Sequence, residues 1–194
     1  MKRLFDIFSS LALLLLVLPF FLVIGLWIVF DSRGGIFYRQ VRVGKGGKLF
    51  KLLKFRTMHP NNDIVKITVG DRDPRVTRAG FFLRKYKLDE LPQLLNILKG
   101  DMSVVGPRPE VPEYVELYSE DQRIVFSVRP GLTDYATLEY VDESQQLAQA
   151  EDPYKMYIEE IMPTKLNLNL KYIREKSIGV DLKIIFRTIL RIIR

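Results

Sequence analysis

The most prominent feature of the hydropathy pattern is an apolar run without any charge at residues 11–30. About 20 apolar residues are enough to cross a hydrocarbon core of roughly 30 Å, so a spanning helix is one interpretation. Pro19 lies in the middle of the run, where it removes a backbone donor and should kink or break a helix. Both flanks are basic, which favours placing both of them on the cytoplasmic side. The flanking cations are Lys2 and Arg3 before the run, and Arg33, Arg39, Arg42, Lys45, Lys48, Lys51 and Lys54 after it.

These features together favour a helix that enters the bilayer, bends at Pro19 and returns. The half at residues 11–18 would be only about 12 Å long, which is too short to cross. We therefore predict a re-entrant membrane helix in residues 1–30 and a cytoplasmic, membrane-associated domain in residues 31–194. A spanning helix and a cleaved signal peptide are the alternatives, and Asp6 and the lack of a small-residue cleavage site weigh against the signal peptide.

The C-terminal segment repeats the membrane theme in an amphipathic form. Lys183, Arg187, Arg191 and Arg194 follow one another at spacings of four, four and three, which places them on one helical face. The remaining positions are mostly leucine, isoleucine and phenylalanine, a pattern typical of a helix that lies in a membrane interface. A surface helix packed on the domain core is the alternative interpretation.

Between these ends the pattern predicts an α+β fold that is mostly helical. Short apolar stretches separated by glycines predict a small β-hairpin, and a polar, turn-rich stretch predicts a loop. A helical pattern interrupted near Leu88 follows, and further helices are expected behind it. The predicted ranges are 36–38 and 49–52 for the strands, 61–75 for the loop, and 77–98, 112–125, 154–161 and 166–173 for the helices.

Composition narrows the chemistry. The 194-residue chain has a formal net charge of +7 and a pI near 9.5, so it should attract nucleic acid, anionic lipid or a phosphorylated substrate. It has no cysteine and one histidine, His59, which excludes thiolate nucleophiles and metal sites rich in imidazole. The usual glycine-rich nucleotide loops are also absent. Carboxylates, hydroxyls, amines and guanidinium groups are left, and these suit a phosphate substrate bound with Mg²⁺.

Asp89 and Glu90 are the strongest candidates for catalysis. Adjacent helical residues diverge by about 100°, so both can border one cleft only at a helix start or bend. Exposed N–H groups at such a start would keep a carboxylate ionised, and an ionised carboxylate can attack phosphorus. The alternative is that Asp89 is only a helix N-cap. The cations that could converge on phosphate are Lys54, Arg56, Arg84 and Arg108. Taken alone, each of them is better explained as a solvated surface charge.

Several longer motifs resemble a known family, the monotopic phosphoglycosyl transferases, also called bacterial sugar transferases. The resemblance covers almost the whole chain. The matching motifs are the opening Lys2-Arg3-Leu4-Phe5-Asp6, the proline-containing apolar segment, Lys54-Phe55-Arg56-Thr57-Met58, Leu88-Asp89-Glu90-Leu91-Pro92-Gln93, the segment 99–109, Arg129-Pro130-Gly131-Leu132-Thr133 and Asp181-Leu182-Lys183.

The resemblance implies a two-step transfer of a sugar-1-phosphate to undecaprenyl phosphate. Asp89 would attack the sugar-linked phosphate of a UDP-sugar and release UMP, and the polyprenyl phosphate would then attack the phosphosugar-enzyme intermediate. Glu90 would position Mg²⁺, with Asp89 as the other metal ligand, or accept a proton. Lys54, Arg56, Arg84 and Arg108 would offset phosphate charge. This would be the first membrane step of surface glycan synthesis (capsule, O-antigen or exopolysaccharide) at the bacterial inner membrane, and a homodimer is compatible with it.

Two stretches depart from the family pattern. Leu18 precedes Pro19 where many members carry serine, and the segment 134–140 differs from the usual sequence after the Pro-Gly-Leu-Thr motif, which bears on donor preference if it touches the donor. The main rival function is a non-catalytic scaffold that binds anionic lipid, with the Asp-Glu pair as a helix cap. Nucleic acid is not expected as a partner, because the cations are dispersed near the membrane-proximal ends rather than gathered on a recognition face.

Overall fold

The computed structural model describes residues 1–60, 67–70 and 73–193. The chain is mostly helical and carries two small two-stranded sheets, which confirms the predicted α+β class. Most of the predicted loop at residues 61–75 and the last cation of the C-terminal stripe, Arg194, lie outside the described residues.

Helix α1 spans Lys2–Asp31 and contains Pro19, so the helix continues on both sides of the proline. By length and composition it could cross a membrane, and its most apolar stretch of 18 residues is 17% buried. Large apolar side chains such as Leu15, Leu16 and Leu22 are exposed along it. Leu14 and Val17 instead pack against the domain. Helix α1 therefore has one face on the domain and a large apolar face that no described part of the chain covers.

Polar side chains fix the N-terminal end of α1 on the domain. Lys2 Nζ lies 2.6 Å from Oδ2 of Asp181, and the Arg3 guanidinium donates to the carbonyl of Ile97 at 2.6 Å. The buried carboxylate of Asp6 accepts the Ser103 hydroxyl at 2.9 Å. The charged side chains of the opening motif thus attach the N-terminal end of α1 to the domain, because each of them bonds to a residue far along the sequence.

The C-terminal end of α1 is held by the same domain. Oδ2 of Asp31 accepts the backbone N–H of Ala79 at 2.9 Å. Arg56 is buried and donates five hydrogen bonds at 2.6–3.4 Å to the end of α1 and the turn behind it. Both ends of the apolar helix are therefore bonded to the rest of the chain.

The hairpin and the helices behind it follow the prediction closely. Strands β1 (Phe37–Val43) and β2 (Leu49–Phe55) pair antiparallel. Helix α2 (Arg78–Lys85), a 3-10 turn at Leu88–Glu90 and helix α3 (Gln93–Lys99) occupy the region predicted as an interrupted helix. Gly100 ends α3 with a φ of 100°, a left-handed conformation that glycine adopts without steric cost.

The second half of the chain differs more from the prediction. The single helix expected at 112–125 is wrong: only α4 (Pro112–Val115) and a 3-10 segment (Gln122–Ser127) are helical. Ser119 and Gln122 bond each other's backbone N–H groups through their side chains, which turns the chain between them. A parallel pair, β3 (Ser103–Val105) with β4 (Gly131–Thr133), had no signal in the sequence.

Further helical segments follow this pair along the chain. They are α5 (Tyr135–Glu139), α6 (Glu143–Gln149), α7 (Pro153–Met156), a π-helical stretch at Tyr157–Ile161, α8 (Met162–Glu175) and α9 (Ile178–Ile193). The Tyr172 hydroxyl of α8 donates to Oδ1 of Asp181 in α9 at 2.7 Å, and it lies 3.1 Å from the carbonyl oxygen of Val105 in β3. Helix α9 buries Ile184 and leaves Leu182 and Phe186 exposed, which fits the predicted amphipathic helix.

Candidate active site

Asp89 and Glu90 lie in the 3-10 turn between α2 and α3. Lys87 stops α2 by adopting a left-handed conformation with a φ of 55°, which is uncommon for a residue with a Cβ. Helix α2 can lie close to the hairpin end because residue 80 is glycine. Any other residue there would place its Cβ 2.0 Å from the carbonyl oxygen of Thr57. The two carboxylates therefore stand at a sharp bend, where neighbouring side chains can face one cleft.

Glu90 is held from two sides by cations. Lys54 Nζ donates to its Oε1 at 2.9 Å, and the Arg108 guanidinium donates to both carboxylate oxygens, one of them at 3.1 Å. A two-pronged contact of this kind fixes orientation as well as charge. Lys54 comes from β2 and Arg108 from the loop after β3, so Glu90 joins three parts of the fold.

The loop that carries Arg108 is fixed by a close backbone crossing. A Cβ at Gly131 would lie 2.1 Å from the Gly106 nitrogen, so only glycine fits where the two loops meet. Oδ2 of the fully buried Asp134 accepts the Arg108 backbone N–H at 3.0 Å, and its Oδ1 caps α5 by accepting Thr137 N–H at 2.6 Å. Asp134 thus positions Arg108, a role that no pattern in the sequence predicted.

Asp89 has far fewer contacts than Glu90. Its side chain is largely buried, and Lys54 Nζ lies 3.7 Å from its Oδ2. Over the described residues its carboxylate accepts no hydrogen bond, and neither the 3-10 turn nor α3 has a side-chain cap. The interpretation of Asp89 as an N-cap is therefore wrong, and so is the idea that backbone N–H groups bind its carboxylate.

The pKa values of the two neighbouring carboxyls are shifted in opposite directions. Burial raises the pKa of the Asp89 carboxyl, against the opposing attraction of Lys54. Burial acts on Glu90 in the same sense, but the charges of Arg108 and Lys54 and their hydrogen bonds outweigh it and hold the Glu90 pKa well below its usual range. Glu90 is therefore a firmly bound anion, whereas Asp89 is a weakly bound and more basic carboxylate.

The other predicted cations divide into two groups. The positive charges of Arg84 and Lys87 both lower the pKa of the Asp89 carboxyl, against the effect of burial. Lys87 is a site residue that was not predicted from the sequence. Its signal was its place between the two helical patterns, immediately before the Asp-Glu motif. Arg56 is not brought to this cluster. Its five N–H bonds all point to oxygen atoms at the end of α1 and in the turn behind it, which leaves none for a phosphate.

Asp89 is the group best suited to hold a divalent cation. No cluster of three or more carboxylate or imidazole ligands exists in the described part of the chain. Mg²⁺ usually takes only one or two protein carboxylates and completes its shell with substrate phosphate and water. Asp89 fits that requirement because its oxygens accept no hydrogen bond. Glu90 fits less well, since both its oxygens are already bonded to Arg108 or Lys54.

Comparison with known proteins gives consistent results. The family described as Bacterial sugar transferase matches residues 1–194. The chain is 38% identical over 196 residues to a UDP-glucose:undecaprenyl-phosphate glucose-1-phosphate transferase of Escherichia coli, covering 98% of the chain but only 40% of that protein. It is also 38% identical over 204 residues to the exopolysaccharide production protein ExoY of Rhizobium meliloti, covering 97% of the chain and 83% of ExoY.

A third relative matches a shorter region. A putative undecaprenyl-phosphate N-acetylgalactosaminyl 1-phosphate transferase of Bacillus subtilis is 46% identical over 121 residues, covering 62% of the chain and 68% of that protein. The names of the Escherichia coli and Bacillus subtilis relatives print the same acceptor, undecaprenyl phosphate, and different sugars, glucose and N-acetylgalactosamine.

Proposed function

Because the chain belongs to the bacterial sugar transferase family, we propose that it is a membrane enzyme that transfers a sugar-1-phosphate from a UDP-sugar to undecaprenyl phosphate. Its relatives carry names of that activity or of exopolysaccharide production. The observation that carries the mechanism is the difference between the two carboxylates. Glu90 is bound by Arg108 and Lys54, whereas Asp89 lies beside them with oxygens that accept no hydrogen bond.

In the first step, an oxygen of Asp89 attacks the sugar-bearing phosphorus of the UDP-sugar. The bond from that phosphorus to the bridging oxygen of the diphosphate breaks, and UMP leaves with the electron pair. In the second step, a phosphate oxygen of the polyprenyl phosphate attacks the same phosphorus. The bond to Asp89 breaks, the carboxylate is restored, and a polyprenyl diphosphate sugar is formed. No proton has to be removed from the Asp89 nucleophile, since it reacts as the anion.

The cations neutralise the charge that moves during these steps. Lys54 bridges both carboxylates, so its ammonium lies where the attacked phosphate must approach. Arg108 is held in place by Glu90 and Asp134 and is oriented before substrate arrives. Fixed cations stabilise the transition state because they need no reorganisation as charge develops. A bound Mg²⁺ would add Lewis-acid neutralisation of the phosphates, with Asp89 as its protein ligand.

Helix α1 would place this site at the membrane surface. Its exposed apolar face needs lipid, and both its ends are fixed on the domain, so we propose a re-entrant helix that leaves the domain on the cytoplasmic face of the inner membrane. The exposed apolar side of α9 would rest in the same interface. A long-chain phosphate acceptor could then reach Asp89 without leaving the bilayer.

Intact-protein mass spectrometry tests the covalent step. The wild-type chain, given Mg²⁺ and a panel of UDP-sugars beginning with UDP-glucose, should gain the mass of one phosphosugar and release UMP before any acceptor is added. Asp89→Asn should abolish both. Asp121→Asn makes the same chemical change at an exposed position and should keep both. UMP release by folded Asp89→Asn at the wild-type rate would refute the covalent route.

A further inference from the structure

The hairpin presents different cations on its two faces. In the β1–β2 register Arg39 lies opposite Leu53 and Val41 lies opposite Lys51, whereas Lys54 lies opposite Tyr38. Side chains alternate between the faces of a strand, so Lys51 and Lys54 point to opposite sides. The Lys54 side faces the catalytic carboxylates, and Arg39 and Lys51 belong to the other side, which has no role in the proposed chemistry.

A groove of about 180 Å³ lies on that other side, between the hairpin and α3. This volume is several times the roughly 30 Å³ that a water molecule takes up in the liquid. Leu53 and Leu95 form its apolar part, and the cations surround it. Its lining residues are Arg39, Lys51, Leu53, Leu95, Asn96 and Lys99.

The cations of the groove are almost free of anionic partners. In the described part of the chain, neither Arg39 nor Lys51 makes an ion pair or a side-chain hydrogen bond. Lys99 Nζ lies 3.2 Å from Asp101, but its side chain is 73% exposed, and an ion pair so exposed contributes little. Two or three positive charges therefore converge on one depression without neutralisation.

The walls of the groove are fixed by a side chain that pairs with the edge of β2. Oδ1 of Asn96 accepts the backbone N–H of Leu53 at 3.0 Å, and its Nδ2 donates to the Lys51 carbonyl at 2.9 Å. Asn96 is buried and supplies the hydrogen bonds that a third strand would give. The spacing between the hairpin and α3 is thus set by hydrogen bonds from the Asn96 side chain to the backbone of β2.

The groove lies beside the membrane helix. Phe55, on the same face of β2 as Lys51, meets Phe21 of α1 with ring centroids 4.9 Å apart. At the other end, Arg3 of α1 donates to the carbonyl of Leu98, the residue before Lys99. The apolar side chains of Val41 and Leu49 on this face are exposed. At the base of a membrane helix, the cations complement the anionic phosphate of a lipid head group, and the apolar surface around them complements the lipid chains.

We propose that the groove between the hairpin and α3 binds the phosphate head group of an anionic membrane phospholipid. The three cations contact the phosphate, and Leu53 and Leu95 contact the first carbons of its chains. The bound lipid is not the acceptor, because Lys51 and Lys54 face opposite sides of β2 and its phosphate is kept away from Asp89. This site rests on the membrane placement of α1 in the proposed function but does not depend on the transfer chemistry.

Native mass spectrometry of the full chain, released from nanodiscs that contain phosphatidylglycerol and phosphatidylcholine, tests this site. The wild-type chain should retain phosphatidylglycerol in preference to phosphatidylcholine. Arg39→Gln/Lys51→Gln should lower phosphatidylglycerol retention by about twentyfold or more, since each cation near an anionic lipid contributes roughly fivefold. Lys155→Gln/Lys176→Gln removes the same charge from exposed positions elsewhere and should retain phosphatidylglycerol as the wild type does.

Three results would overturn the site. Equal lipid retention by the two double variants would show that net charge alone matters. Displacement of phosphatidylglycerol by millimolar inorganic phosphate would show a free-anion site instead of a lipid site. Loss of retention together with a lower melting temperature would show that the side chains support the fold instead. UMP release, measured in the same nanodiscs, should be equal in all three proteins. Its absence from all of them with lipid selectivity intact would refute the proposed reaction and leave the lipid site standing.

Discussion

Lys54 Nζ lies 3.7 Å from Oδ2 of Asp89, which is close enough for electrostatic attraction and too long for a hydrogen bond. The same nitrogen is hydrogen-bonded to Glu90 at 2.9 Å. Lys54 therefore lowers the energy of the Asp89 anion without occupying its lone pairs, so the oxygen that must attack phosphorus stays accessible to it.

Asp89→Asn should remove activity and stabilise the fold. Burial raises the Asp89 pKa, so at neutral pH the folded chain holds an anion that would be more stable in the unfolded chain. Replacing it with a neutral amide removes that cost. We expect a higher melting temperature together with loss of UMP release, measured by differential scanning fluorimetry and a UMP assay. A lower melting temperature would show that the carboxylate makes stabilising contacts.

Glu90→Gln should destabilise the chain in a pH-dependent way. The Glu90 pKa is held well below its usual range, so its anion stabilises the fold above the ordinary glutamate pKa, and this stability is lost as the pH falls through the lowered value. We expect a deficit of about 3 kcal/mol at neutral pH, because Arg108 loses its buried partner. Chemical denaturation from neutral to acid pH measures it. The two unfolding free energies should converge in acid, and a constant difference would contradict the prediction.

Arg108→Lys should raise the activation free energy of the transfer reaction by more than it lowers the free energy of unfolding. Lysine keeps the charge but cannot contact both Glu90 oxygens in one plane. The loss of an oriented donor at a developing charge usually lowers kcat by about 10²–10³-fold. Steady-state UMP release measures the effect. The control is Arg123→Lys, because among the described residues the Arg123 guanidinium donates to the Val115 carbonyl alone, at 3.3 Å. A change confined to KM would instead indicate a role in ground-state binding.

Arg56→Lys should lower the free energy of unfolding and leave the binding of the donor phosphate unchanged. It removes most of five hydrogen bonds at the end of α1, and a loss of roughly 2–4 kcal/mol is expected. Equilibrium unfolding measures this, and Arg33→Lys at an exposed neighbouring position should be neutral. A raised KM for the donor with unchanged stability would restore Arg56 as a phosphate ligand.

Cysteine labelling should place both ends of α1 on one side of the membrane. The chain has no cysteine, so one cysteine added ahead of Met1 and another at Lys45 in the exposed hairpin turn can be compared in separate variants. An impermeant thiol reagent should reach both from the cytoplasmic side of vesicles and neither from the other side. Opposite labelling would show that α1 spans the bilayer.

Much of the local structure was predictable from the sequence. The apolar period of α1, the glycine-bounded hairpin and the amphipathic α9 each depend on neighbours a few residues apart, and so does the interruption near Leu88. The helix expected at 112–125 failed because a local pair, Ser119 with Gln122, competes with helical hydrogen bonding. The β3–β4 pair was invisible because each strand is only three residues long.

The sequence by itself determined that this protein carries an apolar helix with basic flanks, lacks thiol chemistry, and has an Asp-Glu pair at a helix bend. Only the tertiary structure decided which cations serve that pair. Arg108 meets Glu90 across 18 residues and Lys54 meets it across 36, while Arg56, two residues from Lys54, is committed to the end of α1. Periodicity reports which face a side chain lies on, but the contacts of a charge depend on how distant segments cross, and that is fixed by packing such as the Gly106–Gly131 approach.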